Sequence, residues 1–476
     1  MPAKEVRRNT VTPELFDSHN HVYFEKFDED REAVLERARA AGVVGMVCVS
    51  ENAETGRRCL ELANAHADVW AAVGLHAHEA KTDSDEHYEA IRTLAQEPRV
   101  VAVGEIGLDY HYDHSPRNVQ RDVFRRYLRL AHEVGKPVIV HCREAFADCE
   151  RILKEEQHGP HHGNPGSHRG VMHCYTGTAE QAAAFVELGL VISFAGPVTF
   201  KNAHRAVEAA QAIKIERMLI ETDAPFLAPQ RVRGARCEPA HVLDVAQKLA
   251  EVKGLTLEDV GRITTRNARR LFGLALPEHE TIAYPIRNSL YLNITNRCTN
   301  ACIFCARTRD PLVKGHNLRL VHEPSVAEIV AAVGDPSAYE EIVFCGYGEP
   351  LIRLDVVKEV GPMLRERGAR RIRINTNGQA NLVHGRNVLP ELAAFVDEIS
   401  VSLNAPSETE YARLCRSEFG TRAFEAVKGF IREATKHIPV VAASVVAVPG
   451  LDLEACRTLA EELGAKFRVR TYNEVG

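Results

Sequence analysis

The chain has 476 residues, 45% of them hydrophobic and 26% charged, and a net charge of −6 at pH 7. This length predicts two or three domains. The net negative charge does not attract nucleic acid to the protein as a whole, although it is compatible with a local basic groove. No apolar run could span a bilayer and the N-terminus lacks a signal peptide, so we expect a cytoplasmic protein with no membrane partner. In that reducing compartment, twelve cysteines favour metal or cluster ligation over disulfides.

The first half of the chain alternates short β-branched runs with amphipathic helical stretches. The strand-like runs are, in order, "LFDSHNH", "VVGMVCVS", "WAAVGLHAH", "VVAVGEIGLD", "PVIVHC", "GVMHCYTG", "LVISFAG" and "MLIETDAP". Eight βα repeats predict an α/β fold, a (β/α)8 TIM barrel over residues 12–275, with its chemistry at the carboxyl ends of the strands. The His-rich stretch at 155–170 is typical of a surface loop.

The alternation stops after "NARRLFGL" and restarts later. Residues 276–288 contain proline and charge without a clear period and are predicted to be a linker. The strand-like runs that follow are "SLYLNIT", "EIVFCGYGEP", "RIRINTNG", "EISVSLNA", "VVAASVVAVPG" and "KFRVRTYN". Six such runs over 289–476 predict a second parallel α/β domain, too small for a closed eight-strand barrel.

Histidines and carboxylates recur at the strand ends of the predicted barrel. Two His-x-His pairs occur, His19/His21 and His76/His78. Residues i and i+2 of a strand point to the same face, so His19 and His21 can share one metal. The further candidates at strand ends are Glu105, His141, His173 and Asp223. Taken alone, Asp223 could be a helix N-cap and a lone histidine a core residue, but all six at successive strand ends predict a metal site.

Four imidazoles and two carboxylates suffice for two divalent ions, with Glu105 suited to bridge them. Such a pair activates water, and Asp223 is placed to bind one ion and to orient or deprotonate that water. Ligand chemistry leaves open hydrolysis of a phosphodiester, an ester or an amide. It also leaves the metal open, because imidazole favours zinc or iron while carboxylates and water suit magnesium or manganese.

Residues 12–275 resemble the TatD family of metal-dependent deoxyribonucleases. The resemblance is carried by "FDSHNHV", "AAVGLHAHE", "VAVGEIGLDYHYD", "PVIVHCREA", "VMHCYTG", "SFAGPVTFKNA", "LIETDAPFLAP" and "TTRNARRLFGL". It implies a hydrolase and nuclease whose metal ligands are the six residues above. It also suggests His76 or His78 as a phosphate contact and Arg231 or Arg233 near the substrate.

Two positions depart from the family pattern. Ala77 stands where the family usually has proline, and Cys237 stands where asparagine is common. Neither is a candidate metal ligand, but both fall where we expect substrate to be recognised. Nuclease activity is therefore implied less securely than the metal site.

Three cysteines in "NITNRCTNACIFCARTR" have a C-x3-C-x2-C spacing: Cys298, Cys302 and Cys305. A structural zinc site needs four ligands, and no downstream C-x2-C pair supplies a fourth. Three thiolates on one loop suit a [4Fe–4S] iron–sulfur cluster with one iron open to a substrate or cofactor.

The other strand ends of this domain offer a pocket for an amino acid joined to a nucleoside. Gly346 and Gly348 allow close backbone approach, and Glu349 can accept from an ammonium group. The remaining candidates are Asn377, Ser402 and Asn404 for sugar hydroxyls and Val448 beside an adenine edge.

This half resembles the radical S-adenosylmethionine (SAM) superfamily, through the cysteine triad with Phe304 before its last member and through "GYGEP". The resemblance implies a partial (β/α)6 barrel and reductive cleavage of SAM at the open iron. The product is a 5′-deoxyadenosyl radical, and the electron comes from a donor such as flavodoxin or ferredoxin. No second cysteine cluster follows, which argues against an auxiliary cluster.

These observations predict a bifunctional enzyme in which the barrel hydrolyses a phosphodiester, with nucleic acid as the favoured substrate, and the second domain performs a linked radical reaction. Alternatively, the barrel is an ester or amide hydrolase, a deacylase acting on a small molecule, peptide or aminoacyl group that the radical domain modifies. A third hypothesis is that one domain only binds substrate; the full ligand set in both halves argues against it.

Overall fold

The computed structural model describes residues 13–156, 169–275, 280–305, 307, 312–313 and 316–472. Most of the predicted His-rich loop lies outside this set. The chain divides into two compact units between residues 276 and 277.

The first unit is an eight-stranded parallel sheet in which the strands follow in chain order. The strands are β1 Leu15–Asn20, β2 Val43–Val49, β3 Val69–Val73, β4 Val100–Asp109, β5 Val138–Arg143, β6 Gly170–Met172, β7 Leu190–Phe194 and β8 Met218–Ile220. Backbone hydrogen bonds tie the last strand to the first: Asp223 N–H donates to His19 O (2.9 Å) and His21 N–H to Ala224 O (2.7 Å). The predicted eight-strand barrel is confirmed, and its seam lies at candidate metal ligands.

Helices connect the strands and cover the barrel. They are α1 Arg31–Ala40, α2 Ala53–Ala65, α3 Asp85–Ala95, α4 Arg117–Val134, α5 Phe146–Glu155, α6 Ala179–Glu187, α7 His204–Ala212, α8 Val242–Lys253 and α9 Leu257–Leu271. Capping boxes at Asn52 and Thr178 start α2 and α6 because each side chain accepts from a backbone N–H that the helix leaves unpaired.

Alternate strand residues fill two separate apolar layers. One layer packs between strands and helices, and the other lies inside the barrel. Inside, Phe16 stacks between Trp70 (5.8 Å) and Phe272 (6.2 Å), the residue that follows α9. The side chains at the end of α9 therefore fill one end of the barrel and leave the other end for polar groups.

The second unit contains a seven-stranded mixed sheet in the order β17-β16-β15-β14-β13-β10-β9 and a two-stranded ribbon of β11 and β12. The strands are β9 Ala283–Ile286, β10 Ser289–Leu292, β11 Leu312–Val313, β12 His316–Asn317, β13 Glu341–Phe344, β14 Ile372–Thr376, β15 Glu398–Ser402, β16 Val440–Ala447 and β17 Lys466–Thr471. The six predicted strands, β10 and β13 to β17, are all parallel neighbours, as a partial barrel requires.

Helices cover one face of this sheet. They are α10 Val326–Val333, α11 Leu354–Glu366, α12 Ala380–His384, α13 Leu389–Leu392, α14 Glu408–Cys415, α15 Arg422–His437 and α16 Leu453–Glu462. Residues such as Ile374, Ile399 and Val401 are fully buried beneath them in one apolar core. Among the described residues, no helix combines the length and apolar character needed to cross a membrane.

The predicted linker needs one correction. Residues 283–286 form β9, which pairs antiparallel with β10 and brings Pro285 opposite Leu290. Proline is tolerated there because β9 is an edge strand that leaves N–H positions unpaired. The linker prediction is therefore wrong at these residues, and its first four positions lie outside the described ones.

Candidate metal centre and cysteine loop

Three predicted ligands meet at the seam of the first unit. The Nε2 atoms of His19 and His21 are 3.2 Å apart. Oδ1 of Asp223 lies 3.2 Å from Nε2 of His21 and 3.7 Å from Nε2 of His19. The two histidines thus point the same way, as the i, i+2 spacing predicts.

Glu105 stands between this group and a second one. Its Oε2 is 3.4 Å from Nε2 of His19, while its Oε1 is 2.8 Å from Nδ1 of His141 and 3.4 Å from Nε2 of His173. Each carboxylate oxygen therefore faces a different set of imidazoles. Glu105 lies inside β4 rather than at its end, because the strand continues to Asp109.

The donor set fits divalent cations. His19 Nε2, His21 Nε2 and Asp223 Oδ1 crowd together in a buried space, and so do donors of His76, Glu105 and His141. Although burial opposes its charge, the neighbouring histidines His173, His76 and His19 hold the pKa of Glu105 well below its usual range. Ionised carboxylates beside several imidazole nitrogens are the ligands that such metals prefer.

The second His-x-His pair has two different environments. His76 is buried and its Nε2 lies 3.5 Å from Oε1 of Glu105. His78 is partly exposed and its Nε2 lies 3.1 Å from Oδ2 of Asp109. Only His78 combines proximity to the centre with access from solvent.

The cysteine loop of the second unit follows β10 and is fixed by its backbone. Ala301 N–H donates to Cys415 O (3.0 Å), and Ile303 N–H donates to Leu414 O (3.0 Å). Cys298, Cys302 and Cys305 are all partly buried. Burial raises the pKa of Cys298 to about 11, so this group stays a thiol unless a cationic partner stabilises the thiolate.

The "GYGEP" segment packs directly on this loop. A Cβ on Gly348 would lie 2.3 Å from Arg297 O, and one on Gly346 would lie 2.4 Å from Asn293 Oδ1. Glycine is therefore required at both positions because the backbone packs closely against residues 293–297, and this holds whether or not a ligand binds. Glu349 is 4% exposed and accepts from Asn377 N–H at 2.6 Å and from Thr376 Oγ1 at 2.8 Å.

Comparison with known proteins identifies both units. Residues 16–273, more than half of the chain, match the family model described as TatD related DNase. The chain belongs to the TatD family. Residues 292–463 match the model of the Radical SAM superfamily. A TatD metal-dependent hydrolase domain is thus fused to a radical SAM domain, and both families are enzymes.

Several TatD relatives match the first unit over nearly their whole length. The uncharacterised metal-dependent hydrolase YabD of Bacillus subtilis is 43% identical over 54% of this chain and 98% of its own. The 3′-5′ ssDNA/RNA exonuclease TatD of Pantoea ananatis is 36% identical over 55% of this chain and all of its own. The crystal structure of YJJV, a TatD homologue of Escherichia coli, has a TM-score of 0.51 and 31% identity, covering 55% and 98% of the two chains.

Two carboxylates of the TatD barrel were not predicted. Asp109 Oδ2 lies 3.0 Å from His141 Nε2 and also contacts His78, while Oε1 of Glu221 lies 2.9 Å from His173 Nδ1. Each can fix the orientation and tautomer of a candidate ligand. Asp109 stands four residues after Glu105 in one strand, and Glu221 two before Asp223, so periodicity places each on the side of a predicted ligand, but only the folded barrel brings each to its histidine.

The two departures from the TatD pattern are both buried. Ala77 is 1% exposed and Cys237 is fully buried, with its N–H donating to Pro225 O. Neither side chain is open to direct contact with a ligand from solvent, and the interpretation that they lie where substrate is recognised stays a prediction. Cys237 instead packs with Phe27 and Ala224 beneath the segment that carries Asp223.

The predicted substrate arginines have protein partners. Arg231 forms a two-point ion pair with Asp244, with nitrogen–oxygen distances of 2.7 and 2.9 Å. The guanidinium of Arg233 lies 4.5 Å from the Phe200 ring centre. Binding of substrate by Arg231 would require the pair with Asp244 to open.

Two exposed aromatic rings flank the metal centre of the TatD barrel. Phe226, 38% exposed, lies 6.1 Å from the His21 ring, and Tyr112, 50% exposed, lies 5.6 Å from the His78 ring. Each ring has a cation beside it: Lys26 is 5.3 Å from Phe226, and Arg143 is 4.8 Å from Tyr112. We call Phe226, Tyr112, Lys26 and Arg143 the aromatic rim; its two rings lie beside two histidines of the candidate metal centre.

The predicted SAM contacts lie at successive strand ends of the radical SAM domain. Asn377 Nδ2 lies 2.7 Å from Thr299 Oγ1 and 3.8 Å from Cys298 Sγ, so it reaches the cysteine loop. Val448 is nearly buried, and its N–H already donates to Val446 O. Phe304 packs against the core.

Ser402 and Asn404 receive the guanidinium of Arg470, which the sequence did not single out. Its Nη2 lies 3.2 Å from Ser402 Oγ and 3.4 Å from Asn404 Oδ1. The two residues are therefore not free for a sugar alone.

Proposed function

We propose that the TatD domain hydrolyses phosphodiester bonds of single-stranded nucleic acid and that the radical SAM domain acts in a linked process. The metal pair would be held by the predicted ligands His19, His21, Glu105, His141, His173 and Asp223. When bound, two such ions (Mg²⁺, Mn²⁺ or Zn²⁺) supply Lewis acidity that activates water and polarises a phosphoryl group.

The aromatic rim carries the proposal for nucleic acid. Exposed rings beside a reactive centre, each accompanied by a cation, provide the stacking surface and charge that single-stranded nucleic acid uses. Phe226 and Tyr112 lie near different histidines of the centre, so bases on either side of a scissile phosphate could stack on them. The name of the Pantoea ananatis relative, an exonuclease for single-stranded DNA and RNA, supports the same assignment.

The protein side chains have separable roles in this proposal. Asp223 orients and deprotonates the attacking water, because its side chain is the more exposed of the two candidate carboxylate ligands, 13% against 4% for Glu105. His78, partly exposed beside Asp109, donates to the substrate phosphate. Asp109 and Glu221 keep His141 and His173 in position.

Hydrolysis of labelled single-stranded DNA by metal-replete protein tests this proposal, with Asp223→Asn as the inactive control. We expect Tyr112→Ala and Phe226→Ala to lower kcat/KM on DNA by about tenfold or more, since stacking of one base contributes 1–3 kcal/mol. Hydrolysis of bis-p-nitrophenyl phosphate, which has no nucleobase, should change little, and Tyr112→Phe should retain DNA cleavage.

The alternative, an ester or amide hydrolase, makes the opposite prediction. DNA would then remain intact while an ester, amide or aminoacyl substrate is cleaved in a manner that depends on Asp223. That result would overturn the nuclease assignment and indicate consecutive steps on a small molecule or peptide.

For the second domain, we propose that Cys298, Cys302 and Cys305 hold a [4Fe–4S] cluster. When bound, the cluster and SAM supply a reductively generated 5′-deoxyadenosyl radical. Glu349 receives the ammonium group of SAM, and Asn377 lies between the cysteine loop and that carboxylate. The protein thus positions SAM and excludes water.

Anaerobic reconstitution tests the second assignment. Wild-type protein should bind about four irons per chain, the number in the proposed cluster, and release 5′-deoxyadenosine from SAM under reduction. Cys302→Ala should lose both properties, whereas Cys456→Ala, at a buried cysteine of α16, should keep them. Full 5′-deoxyadenosine release by Cys302→Ala would refute the assignment.

A further inference from the structure

The face of the second sheet opposite its helices is rich in arginine. Side chains alternate along each strand, and those of Ile372, Ile374, Ile399 and Val401 are fully buried on the helix side. The arginines at the alternate positions are Arg371, just before β14, Arg373 on β14, and Arg468 and Arg470 on β17. They project from the face that a partial barrel encloses.

Three of these four arginines have carboxylate partners on the same face. Glu398 pairs with Arg371 and, at 2.8 Å, with Arg468. Glu341 pairs with Arg373 at 2.9 Å. Each of these three arginines thus has a carboxylate within ion-pair distance, and the fourth arginine has none among the described residues.

Arg470 differs from the others. Its hydrogen bonds go to the neutral oxygens of Ser402 and Asn404, and no carboxylate of the described residues forms an ion pair with it. Its side chain is exposed, although Asn404 beneath it is 3% exposed. Desolvation by the surrounding protein lowers the pKa of Arg470, and an oxyanion would offset this by pairing with its charge and using its remaining donors.

Arg470 is also connected to the cysteine loop. Asn404, which accepts from Arg470, donates through Nδ2 to Cys415 Sγ at 3.7 Å. Cys415 in turn hydrogen-bonds Cys302; this bond, with burial, raises the pKa of Cys302, and the charge of Arg470 partly opposes that rise. The guanidinium is therefore linked to the cysteine loop through Asn404, Cys415 and Cys302.

We propose that Arg470 binds an oxyanion, a phosphate or carboxylate, of the molecule from which the radical SAM domain abstracts hydrogen. The inference rests on the proposed radical SAM function and adds the class of its substrate. Arginine suits this role because its planar fork makes two parallel hydrogen bonds to such a group. A carboxylate is also present in SAM itself, so the experiment must separate these two sources.

Relaxation of the ³¹P NMR signal of inorganic phosphate provides the test. The reduced [4Fe–4S] cluster is paramagnetic and broadens a nearby phosphate, whereas Mg²⁺ in the TatD barrel does not. We expect broadening with reduced holoenzyme, its loss on oxidation, and competition by succinate. Saturating S-adenosylhomocysteine, which carries the carboxylate of SAM but is not reductively cleaved and so leaves the cluster reduced, should leave the broadening in place if Arg470 serves the substrate.

Matched variants of full-length protein assign the effect to one side chain. Arg470→Gln should weaken phosphate binding by about 10- to 100-fold, the equivalent of one charged hydrogen-bonding group, and Arg470→Lys should weaken it less. Arg468→Gln, two residues earlier on the same strand but paired with Glu398, should bind phosphate as the wild type does.

Other results would overturn either the inference about Arg470 or the radical SAM assignment itself. Unchanged broadening in Arg470→Gln, or none in wild-type protein with an intact cluster, would overturn the inference while leaving the radical SAM assignment standing. Complete displacement of phosphate by S-adenosylhomocysteine would assign Arg470 to the SAM carboxylate and also overturn it. Failure of wild-type protein to assemble a cluster would remove the proposed function on which the inference rests.

Discussion

Asp109 contacts two histidines of the TatD barrel without being a candidate ligand itself. Its Oδ2 lies 3.0 Å from His141 Nε2 and 3.1 Å from His78 Nε2. We expect Asp109→Asn to weaken metal affinity by about 10- to 100-fold, because a carboxylate behind a ligating histidine fixes its orientation and raises its basicity. Activity should return when metal is added in excess.

Metal titration of apo-protein, monitored by activity and calorimetry, measures this effect. Asp113→Asn is the matched control, since Asp113 pairs with Arg117 on the surface four residues later. If Asp109→Asn binds metal as tightly as Asp113→Asn does, Asp109 does not support the centre.

Glu349 makes a pH-dependent contribution to stability. Burial raises its pKa to about 7, although hydrogen bonds from Asn377, Thr376 and Leu351 oppose the rise. Between the usual glutamate pKa and 7, the folded state holds a proton that the unfolded state has released. The stability of the radical SAM domain should therefore fall as pH rises from about 4.5 to 7, by up to about 3 kcal/mol.

Denaturant unfolding of the SAM-free protein at pH 5 and pH 8 measures this slope. Glu349→Gln should flatten it, and Glu366→Gln, at an exposed position of α11, should not. SAM should oppose the effect, because its ammonium group favours the ionised carboxylate. Equal slopes in wild type and Glu349→Gln would contradict the assignment.

The sequence predicted the candidate metal ligands better than the carboxylates that hydrogen-bond to them. His19, His21 and Asp223 follow from strand periodicity and indeed meet. Asp109 was missed because its partner His141 comes from the neighbouring strand, and the pairing of two strands sets that contact. Arg470 was missed for a similar reason. Whether an arginine has a carboxylate partner depends on which strands lie beside its own, and the sequence does not show this.

At the level of elements, the junction of β4 and β5 depends on one glycine. Gly107 has φ +144°, and a Cβ there would lie 2.0 Å from His141 O. We expect Gly107→Ala to lower the free energy of unfolding of the TatD barrel by about 3 kcal/mol or more and to displace His141. Gly135→Ala, with φ +66° at the end of α4 and open space around it, should cost only about 1 kcal/mol.

Chemical denaturation and metal stoichiometry of both variants check this contrast. If the two variants had the same free energy of unfolding, β4 and β5 would be able to separate near Gly107 without destabilising the barrel, which would contradict this prediction.

The strands were predictable to the extent that their apolar runs are buried on both sides. All eight barrel strands coincide with such runs. The six parallel strands of the second sheet were also predicted, although the face opposite their helices carries polar residues such as Arg373 and the edge strand β17 is largely exposed. β9 was missed because it is short, contains Pro285 and lies at the edge, where only one neighbour supplies hydrogen bonds. Edge strands carry little of the burial pattern that the prediction uses.

For the whole molecule, each unit has its own apolar core and its own candidate cofactor site. Domains with separate cores unfold as separate cooperative units unless a large interface couples them. We expect the triple variant Cys298→Ala, Cys302→Ala and Cys305→Ala to keep hydrolysis by the TatD domain within about twofold. Removal of the barrel metals should lower the melting temperature of one calorimetric transition and leave the other in place.

Calorimetry and hydrolysis assays of the full-length triple variant test this independence, with Asp223→Asn as the reciprocal variant that should retain 5′-deoxyadenosine release. If loss of the cysteines also abolished hydrolysis, the two activities would be energetically coupled, and the fusion would serve communication between the sites. If both activities persist separately, the fusion keeps two consecutive reactions together in one chain, which raises the local concentration of a shared intermediate.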